Sequence, residues 1–142
     1  MEFYGRVWKT EGKPAWVIEA PSFGIMTQGH TRKEALAMLK DAIEELIYSY
    51  FNARVKVEVN DHGHGVLGVT CQDKKYLLSL SLIKQRQESR MTIREVASRL
   101  GSKSPNAYAK YEKGVINISI EKFDELISAV NPSLSGLMVG FC

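Results

Sequence analysis

Four residues between Asn106 and Lys113 have the types and the spacing of a surface that contacts a polyanion. On a helix, Asn106, Ala109, Lys110 and Lys113 share one side, at spacings of three, four and seven. An asparagine amide can pair with an adenine edge, and a lysine with guanine or phosphate; a small alanine lets the backbone approach a base. The alternative is a helical bundle whose polar side faces water.

Charge is distributed unevenly along the chain. Residues 1–71 contain eight Lys or Arg and nine Asp or Glu, a net charge of −1. Residues 72–142 contain eleven and seven, a net charge of +4, and within 74–113 the numbers are ten and three, a net charge of +7. This asymmetry favours a polyanionic partner for the second half, although a solvated basic surface has the same composition.

Signals for the starts and ends of helices predict that Asn106, Ala109, Lys110 and Lys113 lie in a helix-turn-helix. Thr92 and Glu95 form a capping box at the start of one helix, and Gly101 suits a left-handed end. Ser104 caps the next helix, with Pro105 at its first position. An apolar helix over 76–89 precedes these two, and a fourth helix follows over 119–130. The further candidate DNA contacts are Thr92, Arg94, Lys84, Lys103 and Ser104.

The first half alternates polar and apolar residues in the manner of strands. Strands are predicted over 2–9, 15–20, 23–29, 53–59 and 65–71. Between the third and fourth, Thr31 and Glu34 form a second capping box before a helix with an apolar stripe. We expect a sheet of three to five strands with this helix on one face. The α+β chain therefore divides into domains 1–71 and 72–142.

Several features have simpler explanations than a catalytic or metal site. The sequence "GHGVLG" matches a nucleotide fingerprint, but a strand rather than a helix follows it. His62 and His64 lack a third metal ligand, so we expect an exposed turn. Cys71 and Cys142 indicate no disulfide framework, in keeping with a reducing cytoplasm. We expect no enzyme activity, no metal, no cofactor and no membrane span.

Both halves resemble known families. "RVWKTEGKPAWVIEAPSFGIMTQGHTRKEALAMLKDAIEELI" is similar to the N-terminal domain of HicB antitoxins, in which a "TQG-T-EA" turn leads from a strand into the helix. "QRQESRMTIREVASRLGSKSPNAYAKYEKG" resembles the Cro-type helix-turn-helix that many HicB proteins carry. In this chain the family's "P-L-P-G-C" segment is replaced by "APSFGI", so the toxin-facing surface differs from that of typical members.

The resemblance implies a degenerate ribonuclease-H-like N-terminal domain that occludes HicA, an RNA-cleaving toxin. It also implies that the C-terminal domain represses the operon by binding double-stranded promoter DNA as a dimer or larger assembly. The candidate toxin contacts are the aromatic residues beside the sheet: Tyr4, Trp8, Trp16 and Phe23. For Trp16 and Phe23, packing beneath the helix is an equal alternative.

Two further matters stay open at this stage. A free-standing regulator whose N-terminal domain senses a small ligand would have the same DNA-binding half. The apolar tail "LSGLMVGFC", with Leu134, Leu137, Met138, Val139 and Phe141, needs cover from its own domain or from a second subunit. We favour a homodimer built on the DNA-binding half, since such modules usually bind two half-sites.

Overall fold

The computed structural model describes residues 1–132 and the backbone of residues 139–140. Its strands are β1 (Glu2–Lys9), β2 (Trp16–Ala20), β3 (Ile25–Gly29), β4 (Val57–Asp61), β5 (Val66–Cys71) and β6 (Val139–Gly140). Its α-helices are α1 (Arg32–Phe51), α2 (Lys75–Glu88), α3 (Ile93–Arg99), α4 (Asn106–Ala109) and α5 (Ile120–Val130). Single 3-10 turns cover Pro21–Phe23 and Lys110–Glu112. The α+β prediction, a sheet with one helix followed by about four helices, is confirmed.

The sheet is antiparallel, with the order β3-β2-β1-β5-β4. β1 lies in the centre, where Val7 pairs with Ile18 of β2 and Phe3 pairs with Val69 of β5. These four side chains are buried, as the period-two pattern predicts. α1 packs on their face of the sheet and buries Leu39, Ile43 and Ile47 among its apolar residues.

The turn from β3 into α1 depends on a close approach of two backbones. A Cβ atom at Gly29 would lie 2.7 Å from the Ala35 amide nitrogen, so a larger residue would push the strand away from the helix. Thr31 caps α1 by accepting a hydrogen bond from the Glu34 amide (3.0 Å). The predicted return bond differs: Glu34 accepts from the backbone and ring nitrogens of His30, and these bonds lower the pKa of Glu34.

The other face of the sheet, opposite α1, is partly exposed in the described part of the chain. Tyr4, Met26 and Val66 are among its exposed side chains, with 36%, 62% and 39% of their surface accessible. Because register partners share a face, Trp8 lies on this side with its partner Val17. We call this surface the open face.

One carboxylate on the open face is buried. Glu2 accepts hydrogen bonds from the Asn60 side-chain amide (2.7 Å) and contacts His62 Nε2 (2.6 Å). A Cβ atom at Gly68 would overlap the Glu2 carboxylate, so the glycine makes the space that this cluster occupies. This contact with Glu2 accounts for the position of His62, one of the two histidines of the "NDHGHG" turn.

The described residues fall into two compact units, 1–72 with 139–140, and 73–132. Val139–Gly140, near the end of the range 72–142 predicted from sequence as the second domain, pairs with Glu2 and Phe3 of β1 as β6. Apart from that backbone pairing, the predicted apolar tail, with Leu134, Leu137, Met138 and Phe141, lies outside the described residues. No helix in the described part of the chain is long and apolar enough to cross a membrane.

Candidate nucleic-acid interface

The first helix of the candidate helix-turn-helix, α3, has both ends defined by local hydrogen bonds. At its start, Thr92 Oγ1 accepts from the Glu95 amide (3.1 Å) and the Glu95 carboxylate accepts from the Thr92 amide (3.4 Å). At its end, Gly101 has φ of 76°. The Ser102 amide donates to Ala97 O (2.9 Å) and the Gly101 amide to Ser98 O (3.0 Å). This is a Schellman motif, so the predicted capping box and glycine end are both confirmed.

Serine side chains guide the chain from Gly101 to the next helix. Ser102 Oγ donates to Ser104 O (2.9 Å), and Ser104 Oγ accepts from the Asn106 amide (3.3 Å). The regular helix begins at Asn106 with Pro105, and not Ser104 as predicted, in the N-cap position. These bonds fix the direction in which the first turn presents Asn106.

We call residues 105–113 the recognition segment, since it contains the candidate base-contacting residues. Its α-helical part, α4, has four residues and continues as a 3-10 turn, whereas the sequence predicted one continuous helix. Asn106, Lys110 and Lys113 are exposed, and Ala109 is half-buried. The segment therefore presents one amide and two ammonium groups to solvent.

Tyr108 anchors the recognition segment on its inner side. Its side chain is 1% exposed. Burial, together with the nearby Glu112 carboxylate, raises the pKa of Tyr108, so the phenol stays neutral. Three residues on, the Tyr111 carbonyl accepts a hydrogen bond from Ser79 Oγ of α2 (2.8 Å).

A largely buried ion pair joins α2 to the recognition segment. The Arg86 guanidinium donates through Nε and Nη2 to the two Glu112 oxygens (2.7 and 2.9 Å), and through Nη1 to Met91 O (3.0 Å). The side chains are 17% and 8% exposed. Sequence reasoning missed this pair, because 26 positions separate its members and no local pattern relates them.

Two further hydrogen bonds connect the end of α5 to α2 and α3. Asn131 Nδ2 donates to Gln85 Oε1 of α2 (2.9 Å), and Arg99 Nη1 of α3 donates to Ala129 O (3.3 Å). The buried face of α5 includes Phe123 and Leu126. α3 and the recognition segment are therefore held on a rigid frame rather than presented on loops.

The other candidate DNA contacts occupy different environments. Arg94 and Lys103 are exposed, on α3 and in the turn after it, whereas Lys84 is half-buried on α2. Thr92 is exposed, but its hydroxyl both accepts from the Glu95 amide and donates to the Glu95 carboxylate. Thr92 thus orders the start of α3.

The four candidate toxin contacts do not form one surface. Tyr4 and the half-buried Trp8 lie on the open face, where the Arg6 guanidinium stands 4.3 Å from the Trp8 ring centroid. Trp16 shares the α1 side of the sheet with Ile18. Phe23 is wrong as an exposed contact: it is 0% exposed and its ring centroid lies 5.1 Å from that of Phe3. The 3-10 turn directs it into the core.

No cluster of three or more His, Cys, Asp or Glu side chains that could hold a metal occurs among the described residues. In "GHGVLG", Gly63 and Gly65 have φ of 83° and 79°, and the chain then enters β5 rather than a helix. The motif is a turn between strands.

Comparison with known families places a match in the second half of the chain. Residues 82–137 match the model of the helix-turn-helix family, which covers part of α2 and all of α3, α4 and α5. The match supports a DNA-binding domain in this half of the chain and a role in transcription regulation, since the family is one of DNA-binding regulators and not of enzymes. No curated protein matches the chain.

Proposed function

We propose that this chain is an antitoxin that binds promoter DNA through α3 and the recognition segment and binds a HicA-type toxin through its N-terminal unit. The observation that carries the DNA-binding half is the exposure of Asn106, Lys110 and Lys113 on a segment fixed from beneath by Tyr108 and Glu112. Such a surface can place an amide against a base edge and lysines against phosphates.

The toxin-binding half of the proposal is supported by the resemblance and by the open face. A shallow sheet surface with an exposed Tyr4 beside Trp8 and Val66 suits a protein partner, because aromatic residues are enriched in protein interfaces while small ligands prefer concave pockets. Occlusion of a toxin requires surface complementarity and no catalytic group on the antitoxin.

The expected oligomeric state follows from the spacing of DNA half-sites. A single recognition segment covers few base pairs, and helix-turn-helix proteins usually contact two half-sites about one helical turn apart. We therefore propose a homodimer or larger homo-oligomer on DNA.

Two sets of variants of the full chain test the proposal. Tyr4→Ala with Trp8→Ala should abolish protection against a co-expressed HicA-type toxin and leave promoter binding intact. Asn106→Ala should weaken promoter binding and leave protection intact. Circular dichroism checks that each variant is folded.

If the folded wild-type chain binds promoter DNA but never co-purifies with a HicA-type toxin, the toxin-binding proposal fails. A regulator that senses a small ligand would then be the better explanation. If both variant sets lose both activities, the two surfaces do not have the separate roles proposed here.

A further inference from the structure

The two edges of the N-terminal sheet differ in charge. β4, at one edge, includes Glu58 and Asp61, and Asp61 pairs with Arg32 (2.7 Å). β3, at the other edge, has the sequence IMTQG, and residues 20–31 contain no Lys, Arg, Asp or Glu. Natural sheets usually protect an edge with charge or proline, since unpaired N–H and C=O groups there can accept another strand. β4 has this protection and β3 lacks it.

The β3 edge is also uncovered in the described part of the chain. Met26 is 62% exposed, Gln28 is exposed, and Ile25 and Thr27 are half-exposed although they lie on the α1 side of the sheet. Outside the β2–β3 ladder, the backbone of Ile25–Gly29 makes no backbone hydrogen bond within the described residues.

We propose that β3 pairs antiparallel with β3 of a second copy of this chain, which joins two sheets into one. With Thr27 on the two-fold axis, Ile25 faces Gly29 of the other copy and Met26 faces Gln28. The pairing sets a large side chain against a glycine and brings no like charges together.

The second copy is favoured over a β4 edge or an unrelated strand by symmetry. If β3 of one copy paired with β4 of another, the contact would be heterologous, and each added copy would leave a free edge for the next. Pairing of β3 with β3 uses the same strand of both copies, so this contact is complete in a dimer. Pairing of β4 with β4 would place Glu58 and Asp61 of both copies along one contact. The inference is independent of toxin binding and of the DNA-binding unit.

Thiol cross-linking of the full chain tests the contact. The test uses a Cys142→Ser background in which the buried Cys71 is retained. In the proposed dimer, Met26→Cys places one thiol of each copy on diagonal positions of the two paired strands, with their Cβ atoms about 7–8 Å apart. A bis-maleimide that spans about 8 Å should then give a covalent dimer. Val66→Cys is the matched control: it is exposed on the same face, but two copies would lie seven strand spacings, or about 34 Å, apart.

A second measurement uses charge. Met26→Lys with Gln28→Lys should halve the mass of the assembly in sedimentation, while Val66→Lys should not change it. Cross-linking of Met26→Cys well above Val66→Cys, with loss of mass in the lysine variant, supports the proposal. Equal cross-linking at the two positions, or an unchanged mass in the lysine variant, overturns it.

Discussion

Arg86 of α2 forms a bidentate ion pair with Glu112, the last residue of the 3-10 turn in the recognition segment. The pair is largely buried, and Arg86 also holds the Met91 carbonyl just before α3. One side chain therefore sets the position of both elements of the helix-turn-helix.

Glu112→Gln removes the carboxylate that accepts two hydrogen bonds from the largely buried Arg86 guanidinium. Loss of one member of a buried pair costs about 3 kcal/mol or more, so urea unfolding followed by circular dichroism should show a loss of that size. The exposed Glu88→Gln is the control and should change stability by less than about 0.5 kcal/mol. Equal effects of the two substitutions would mean that the pair contributes little.

Tyr108→Phe should change stability at neutral pH by no more than about 1.5 kcal/mol, the size of one hydrogen bond, because the buried Tyr108 hydroxyl lies near Glu112 and Arg86. Burial raises the pKa of Tyr108 above its unfolded value of about 10. The folded state therefore keeps the proton that the unfolded state releases, and stability present below about pH 10 is lost as the pH rises further.

Between pH 9 and pH 11 the wild-type chain should thus lose more unfolding free energy than Tyr108→Phe does. Denaturant titrations at the two pH values measure this difference. Parallel losses in the two proteins would show that Tyr108 does not carry the alkaline dependence.

Gly68→Ala should destabilise the N-terminal unit by about 1–3 kcal/mol, because the added Cβ displaces the Glu2 carboxylate from Asn60 and His62. If Glu2 is the cause, Glu2→Ala combined with Gly68→Ala should lose less than the sum of the single losses. A double-mutant cycle from denaturant unfolding measures the coupling. Strict additivity would disprove the steric explanation.

The local elements of this fold could be predicted from sequence, and the contacts between distant residues could not. Alternation, caps and glycines located α1, the ends of α3 and most of the strands, since each signal lies within a few residues. The strand predicted over 53–59 instead runs from Val57 to Asp61, and the one predicted over 23–29 begins at Ile25. The burial of Phe23 depends on the 3-10 turn, and the Glu2 cluster joins residues about 60 positions apart. The ion pair of Arg86 with Glu112 could not be predicted either, because pairing across 26 residues leaves no periodic signal in the sequence.

The length of the α-helix within the recognition segment could not be predicted either. The spacing of Asn106, Ala109, Lys110 and Lys113 suggested one continuous helix, but the chain tightens to a 3-10 turn at Lys110. The bond from Ser79 to the Tyr111 carbonyl and the Glu112 ion pair fix that turn from α2. The same four residues remain the candidate contacts.

Lys113→Ala should weaken binding to all duplex sequences and reduce the slope of log affinity against log salt by about one. The reason is that one phosphate contact and its released counter-ion are lost. Fluorescence anisotropy over a series of salt concentrations gives both quantities. Lys33→Ala, an exposed lysine on α1, is the control, and an unchanged slope for Lys113→Ala would exclude its phosphate contact.

The central claim is that the recognition segment reads base sequence, and Asn106→Ala tests it most directly. A preferred duplex is first selected from random DNA with the wild-type chain, and affinities of Asn106→Ala and of Asn117→Ala, an exposed asparagine outside the segment, are then measured on that duplex and on random DNA. We predict that Asn106→Ala loses about 1–3 kcal/mol on the selected duplex and little on random DNA, while Asn117→Ala loses little on either. Equal losses for Asn106→Ala on both duplexes, or no loss on the selected one, would contradict the claim.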